Sequence, residues 1–324
     1  MPSGLRDFPQ SRCISVKLYR KLEDLEAGLR HGALSIGNFD GVHMGHARIV
    51  ERVIARARQA GGPAIIFTFD PHPVRVLRPE LAPAPLTWTE RKAELLADLG
   101  IDAVVAYPTD EALLSRRAAD FFQWIVRDTL AAAAIVEGPN FYFGKDREGN
   151  VDTLRELAAQ AGIELEVVQP LRCANEFVSS SRVRGLIRDG QVEQACQMLT
   201  GPYRIRGMVT HGVGRGAKIG FPTANVEAID TLLPAPGVYA GRGFVENHSW
   251  PAGINIGTNP TFGETACKVE VHLIGADESL YNQPLEVELL ARLRDIQPFD
   301  SVEGLVRQLD QDMQRVMEIE RQVR

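Results

Sequence analysis

Five short apolar runs set the character of the first half of the chain. They fall at residues 33–36, 64–69, 103–107, 131–136 and 165–168, and their length and uniform apolarity predict strands buried on both faces. Helix-patterned segments lie between them. One covers residues 47–60 and stops at Gly61 and Gly62; a second, TERKAELLADLG, has Thr89 in the N-cap position and ends at Gly100. Residues 116–129 and 152–161 complete the set. Strand–helix alternation of this kind predicts an α/β domain, a parallel sheet with helices on both faces.

The alternation stops near residue 200. From 203 to about 293 the chain is a series of short strand-like pieces punctuated by Gly, Pro and Asn, among them GVYAGRGFV, KVEVHLI and LEVELLARL. In CKVEVHLI, Val269, Val271 and Leu273 face one way and Lys268, Glu270 and His272 the other, the pattern of a small, mainly β barrel or sandwich. A last helix is expected over 301–316, with Asp300 or Ser301 as N-cap. We place the domain boundary in the helical stretch 183–199, which gives domains of residues 1–186 and 187–324; a chain of 324 residues is long enough for two cores.

Charge narrows the partners. The net charge is −6, with 23 Lys/Arg against 24 Asp/Glu over residues 1–186 and 13 against 18 over 187–324. Neither half is basic, which argues against nucleic acid. Arg48, Arg52, Arg56 and Arg58 read as the solvated face of one helix. The four cysteines, at 13, 173, 196 and 267, stand apart with no metal-binding spacing, as in a reducing compartment. No signal peptide and no membrane span is expected, so the sequence reads as cytoplasmic, with no membrane partner; it gives no oligomeric state.

SIGNFDGVHMGH, residues 35–46, follows the first strand run and runs into the first helix. Ligands of open α/β sheets bind beyond the carboxyl ends of strands, where a helix N-terminus offers free N–H groups and partial positive charge. Gly41 and Gly45 let backbone come close to a ligand, and His43 and His46 add side-chain donors. The stretch suits a phosphate pocket. The alternatives are loop histidines without a role, or an HxxH metal site, for which no further Cys or His lies close in sequence. A second glycine-rich stretch, HGVGRGAKIGFPTANVE, spans residues 211–227 and lacks the GxxxxGK[ST] pattern of a Walker loop. Glu270 on the wet face of its strand is equally compatible with a solvated residue and with a catalytic one.

SIGNFDGVHMGH, with TFDPHP (68–73), GPNFYFG (138–144) and SSSRVR (179–184), closely resembles the Rossmann-like nucleotidylyltransferase half of the bacterial bifunctional riboflavin kinase/FAD synthetase family. PTAN (222–225), GVYAG (237–241), NIGTNPTFG (255–263) and VEVH (269–272) resemble the riboflavin kinase half, a small barrel with a C-terminal helix, so the resemblance covers essentially the whole chain. It implies phosphorylation of riboflavin to FMN, then adenylylation of FMN to FAD, each with ATP as co-substrate and Mg²⁺ as cofactor. It implies that His43 and His46 stabilise adenylyl transfer and that Arg184 neutralises the leaving pyrophosphate. Gly37, Asn38, Phe39, Asp40, Gly41, Asn140, Ser179 and Ser180 would bind nucleotide or flavin, although Asp40 reads equally as a structural turn acid. In the second half it implies Gly214, Arg215, Gly216, Lys218 and Gly220 around ATP, Thr223 and Asn225 on Mg²⁺, and Glu270 as base. Three positions depart from the family: Ala217 stands where a basic residue is common, Ile296 where Glu is usual, and SLYNQ (279–283) where an acidic turn is usual. The rival readings are an enzyme with only one of the two activities and a flavin-binding sensor without turnover.

Overall fold

The computed structural model describes residues 16–173, 176–212, 215–246, 248–258, 268–277 and 280–323. These form two compact units, one of residues 16–83 and 88–179, the other of residues 84–87 and 180–323.

The first unit is a six-stranded sheet. Its strands are β1 (Lys17–Tyr19), β2 (Ala33–Ile36), β3 (Ala64–Asp70), β4 (Ala103–Pro108), β5 (Ala134–Glu137) and β6 (Glu164–Val167), all parallel, in the order β1-β4-β3-β2-β5-β6. Its helices are α1 (Met44–Ala60), α2 (Pro73–Leu77), α3 (Thr89–Asp98), α4 (Glu111–Leu114), α5 (Ala118–Phe121) and α6 (Val151–Ala161). Period-two alternation gives each strand two apolar faces. Leu34, Ile36, Ile65, Phe67, Val105 and Ile135 pack with Phe121, Ile125, Leu154 and Ala158 on one side. Ala33, Ile66, Val104 and Val136 pack with Val50, Val53, Ala93 and Leu96 on the other. Helices therefore cover both faces, as the alternation predicts. A two-stranded ribbon, β7 (Arg172–Cys173) and β8 (Glu176–Phe177), ends the unit.

Local details differ from expectation for physical reasons. Trp88, not Thr89, is the N-cap of α3; Thr89 lies in the first turn and its hydroxyl donates to Asp70 at 2.7 Å. Residues 116–129 are not one α-helix: α5 passes into a π-helical stretch, Phe122–Thr129. Its wider turns put Phe121, Phe122, Ile125 and Val126 together in the core. The run at 131–136 becomes a strand only at Ala134, because Ala131 adopts φ +45° and breaks the extended chain.

The second unit is a closed antiparallel barrel. Two helices, α7 (Ser180–Arg188) and α8 (Val192–Met198), precede it; the helical stretch expected over 183–199 is broken at Gly190, whose φ is +73°. The strands are β9 (Tyr203–Thr210), β10 (Ala224–Glu227), β11 (Gly237–Val245), β12 (His248–Gly257), β13 (Lys268–Leu273) and β14 (Pro284–Arg294). They close in the order β10-β13-β12-β11-β14-β9, with β9 paired back to β10. A short helix, α9 (Arg215–Lys218), sits in the β9–β10 connection, and α10 (Val302–Val323) ends the chain. The Ser301 hydroxyl accepts the Gly304 N–H at 3.1 Å and caps α10. The helix runs past the expected residue 316 because its later turns are anchored. Val316 and Ile319 pack with Ala240 and Leu290, and Glu320 binds Arg242 at 2.7 Å. Asp312 takes two N–H groups of Arg294, at 2.8 and 3.1 Å.

Candidate functional site

In the first unit β2 has β3 on one side and β5 on the other, so the crossover direction reverses there. The ladder between β2 and β5 stops at Leu34 and Ile135. Beyond it the Glu137 carboxylate takes over, accepting the Ile36 N–H at 2.6 Å and the Ser35 hydroxyl at 3.3 Å. Burial pushes the Glu137 carboxyl well above the usual carboxylate range, against the pull of these two donors. The chain leaves β2 at Gly37, whose N–H still bonds Phe67, and turns into α1 through a tight buried loop. Phe39 (φ +47°), Gly41 (φ +82°) and Val42 (φ +38°) are all left-handed. For a phenylalanine and a β-branched residue this is strained backbone, held by burial of Phe39, Asp40, Val42 and His43.

The two histidines form one unit. His43 is the N-cap of α1, and its Nδ1 accepts the His46 N–H at 3.2 Å. The neutral imidazole of His43 therefore carries its proton on Nε2. The rings stack at 3.6 Å with 12° between their planes, and Phe39 lies 4.8 Å from His46. Gly45 makes this possible: a Cβ there would sit 3.1 Å from the His43 ring and 3.4 Å from the Val178 carbonyl. That carbonyl brings the chain preceding Ser179 to the same turn. Burial, then the neighbouring His43 and Lys92, hold the His46 imidazole well below the usual histidine range, so it is neutral at pH 7. His46 Nδ1 and Asn38 Oδ1 are buried without a hydrogen-bond partner, two polar atoms that a bound ligand would satisfy.

The other expected residues of this half are distributed. Asn140 is exposed in the turn after β5. Ser179 ends the first unit; Ser180 and Arg184 open α7 in the second. Arg184 is buried rather than a surface arginine, and its Nε–H donates to the Ala84 carbonyl at 3.0 Å. The residue that sequence reasoning missed is Lys92. It is 7% exposed in α3, and its ammonium donates to the Thr68 hydroxyl at 3.3 Å. Burial lowers its pKa while Asp40 and Asp70 pull it back up. The signal was present: at helical spacing Lys92 shares a face with Leu95, Leu96 and Leu99.

In the barrel, Glu270 of β13 pairs with Asn225 of β10 on one side and Asn255 of β12 on the other. Asn255 Nδ2 donates to Glu270 Oε2 at 3.4 Å. Thr223, two residues before Asn225, precedes β10 and lines a cavity of about 330 Å³ with Val209, Val271, Leu273, Leu280 and Tyr281. The Asn225 amide lies where a Cβ of Gly212 would be, so residue 212 must be glycine for this packing. Gly216 accepts N–H groups from Ile219 and Phe221 and so folds the loop back on itself. Lys218 and Ala217 are exposed, Gly220 has φ +90°, Arg215 opens α9, and Gly214 lies outside the described residues, as do residues 259–263, Ser279, Cys13 and Cys267. His272 Nδ1 donates to the Pro222 carbonyl at 2.7 Å and pins the start of PTAN. Cys196 is buried with its thiol pushed up to about 12, and so is inert.

Both sites gather hydrogen-bond donors and hard oxygens, and no described residue of either is set up as a covalent nucleophile. The class they define is that of nucleotide-dependent transferases that move phosphate-containing groups. A family model described as FAD synthetase matches residues 26–182, and one described as riboflavin kinase matches residues 199–320. The chain belongs to the bifunctional riboflavin kinase/FMN adenylyltransferase family, and it is an enzyme with both kinds of domain. The bifunctional riboflavin kinase/FMN adenylyltransferase of Pseudomonas fluorescens is 35% identical over 92% of this chain and 96% of its own length. The protein of the same name from Escherichia coli K12 is 32% identical over the same shares. A solved structure of a macrolide-efflux protein from Streptococcus pneumoniae superposes with a TM-score of 0.80 and 28% identity, covering 93% of this chain and 98% of that one. No helix among the described residues is long and apolar enough to cross a membrane.

Proposed function

We propose that residues 1–186 carry adenylyl transfer and residues 187–324 riboflavin phosphorylation. Both use ATP with Mg²⁺ in the cytoplasm, with small molecules as partners and neither nucleic acid nor membrane among them. The observation that carries the first assignment is the stacked His43–His46 pair at the sheet's reversal point, beside the buried and unpartnered His46 Nδ1 and Asn38 Oδ1. A phosphate oxygen of FMN attacks the α-phosphorus of ATP, the bond to the β-phosphate oxygen breaks, and pyrophosphate leaves with the electron pair. The chain supplies position and stabilisation of the developing charge. Asn38, the Gly37–Gly41 loop and His46 hold the nucleotide, and Ser179, Ser180 and Arg184 the pyrophosphate end.

In the barrel, Glu270 takes the proton of the riboflavin 5′-hydroxyl as that oxygen attacks the γ-phosphate. The residues present fit Mg²⁺: the Thr223 hydroxyl and Asn225 amide belong to one short segment, and Asn225 stands opposite the Glu270 carboxylate, few protein ligands of hard oxygen chemistry. Bound there, the ion neutralises phosphate charge. Gly214, Arg215, Gly216, Lys218 and Gly220 form the loop over ATP.

The test is incubation of the purified chain with riboflavin, ATP and Mg²⁺ and separation of the flavins over time. FMN followed by FAD is the expected course. FMN alone, FAD only from added FMN, or neither would point to a kinase, an adenylyltransferase or a sensor.

A further inference from the structure

We propose that Lys92 is a catalytic residue of adenylyl transfer, contributing the positive charge that the two histidines do not. This rests on the adenylyltransferase reading of the first unit.

Lys92 projects from α3 to the carboxyl end of the sheet. Its ammonium donates to Thr68, and Thr68 in turn donates to the Asn38 carbonyl at 3.1 Å, inside the loop that carries His43. Phe67, the neighbour of Thr68, holds the N–H of Gly37. Lys92 is thereby tied to both ends of the turn from Gly37 to Asn38, and its charge is felt at His46. A lysine this deeply buried is costly unless its charge is used or paired. Two carboxylates, Asp40 and Asp70, favour its charged form against the opposing effect of burial, yet Asp70 also accepts the Thr89 hydroxyl at 2.7 Å and Arg20 at 3.4 Å.

The chemistry calls for such a cation. A phosphate monoester attacks a triphosphate, so anion approaches anion, and pyrophosphate gathers charge as it leaves. His46 is neutral, and His43, while its Nδ1 accepts the His46 N–H, is neutral as well. Both are dipolar donors without net charge. Lys92 neither gains nor loses a proton in the step. Its fixed charge offsets the repulsion between the attacking phosphate and the α-phosphate, and Thr68 holds it in position.

The test compares Lys92→Met and Lys92→Arg in the full chain, with FMN and ATP as substrates and riboflavin phosphorylation as an internal control. Lys92→Met is expected to lower kcat for FAD formation roughly a hundredfold, the loss typical of one preorganised group. KM for ATP and FMN should change less than threefold, and Lys92→Arg should restore part of the loss. Should Lys92→Met fail to fold by near-ultraviolet circular dichroism, Thr68→Val keeps the charge and frees it from its anchor; kcat should fall about tenfold with folding intact. An unchanged kcat in the folded Lys92→Met chain, or in Thr68→Val, overturns the proposal. So does equal loss in Lys92→Met and Lys92→Arg with loss of the dichroism signal. Wild-type chain that makes no FAD from FMN sinks the adenylyltransferase reading instead, so the two failures are distinct.

Discussion

His43 shows how one hydrogen bond settles a side chain's chemistry. By accepting the backbone N–H of His46 it caps the helix and fixes its own tautomer, and Gly45 leaves room for the ring to do both. His46→Ala removes the stacked partner and one donor. FAD formation from FMN should fall about a hundred- to a thousandfold while riboflavin phosphorylation persists, as measured by separate assays of the two steps. Glu137 yields a second prediction. Its folded-state pKa is raised, so the native protein holds this proton above the pH at which the unfolded chain releases it, about 4.5. The associated stability is complete at low pH and is lost as pH rises through the raised value. Glu137→Gln keeps an oxygen for the Ile36 N–H and removes the titration. Its melting temperature should match the wild type at pH 5 and exceed it at pH 8. His46 contributes the opposite slope: its depressed pKa makes acidification through about 6.5 destabilising, because the unfolded imidazole is protonated first.

Among the elements, β13 carries the proposed base of the kinase step on one face and barrel core on the other. Val269, Val271 and Leu273 are buried, while Glu270 sits between two asparagines and His272 grips Pro222. Glu270→Gln should abolish most riboflavin phosphorylation and leave FMN adenylylation unchanged; full kinase activity in that variant would exclude Glu270 as the base. His272→Phe loses the donor to Pro222 and should raise the Mg²⁺ concentration needed for half-maximal phosphorylation severalfold. His272→Asn, which retains a donor, should stay near wild type in the same titration. The alternation that makes this strand legible is the property sequence reads best. The parallel sheet, its covering helices and the mainly β second half followed from periods of two and 3.6 together with Gly and Pro punctuation; the choice of barrel over sandwich came from the family resemblance. The end of the α3 helix was readable from Gly100, but its N-cap was not, because Thr89 turns its hydroxyl to Asp70, a residue nineteen positions earlier. The π-helical stretch and the left-handed Ala131 were likewise set by packing and not by local composition. Lys92 was half legible: its place on the apolar face with Leu95, Leu96 and Leu99 marks it as buried, but its bond to Thr68 is set by packing.

At the scale of the whole molecule, the family models and the compact units divide the chain in nearly the same place. The FAD synthetase model ends at residue 182 and the second unit takes up the chain at Ser180. Within that unit α7 packs on α8, and the Ala235 N–H reaches the Ile187 carbonyl at 3.4 Å. A fragment of residues 180–324 should therefore fold, turn riboflavin and ATP into FMN, and make no FAD. A fragment of residues 189–324, without α7, should melt at a lower temperature, since Val183, Leu186 and Ile187 would leave apolar partners uncovered. Equal melting temperatures would mean that α7 contributes nothing to this unit. The closed barrel has a further consequence. Every strand in it is hydrogen-bonded on two sides, so it presents no open edge to a neighbouring chain. The sheet of the other unit does have edges, but one is the three-residue β1, and the other, β6, carries Glu164 and Glu166 clasped by Arg52 and Arg56. Among the described residues the open edges left for a neighbouring chain are therefore short or charged, the two-residue strands of the β7–β8 ribbon included, and clumping of the protein should track the small fraction of unfolded chains instead of the folded pool.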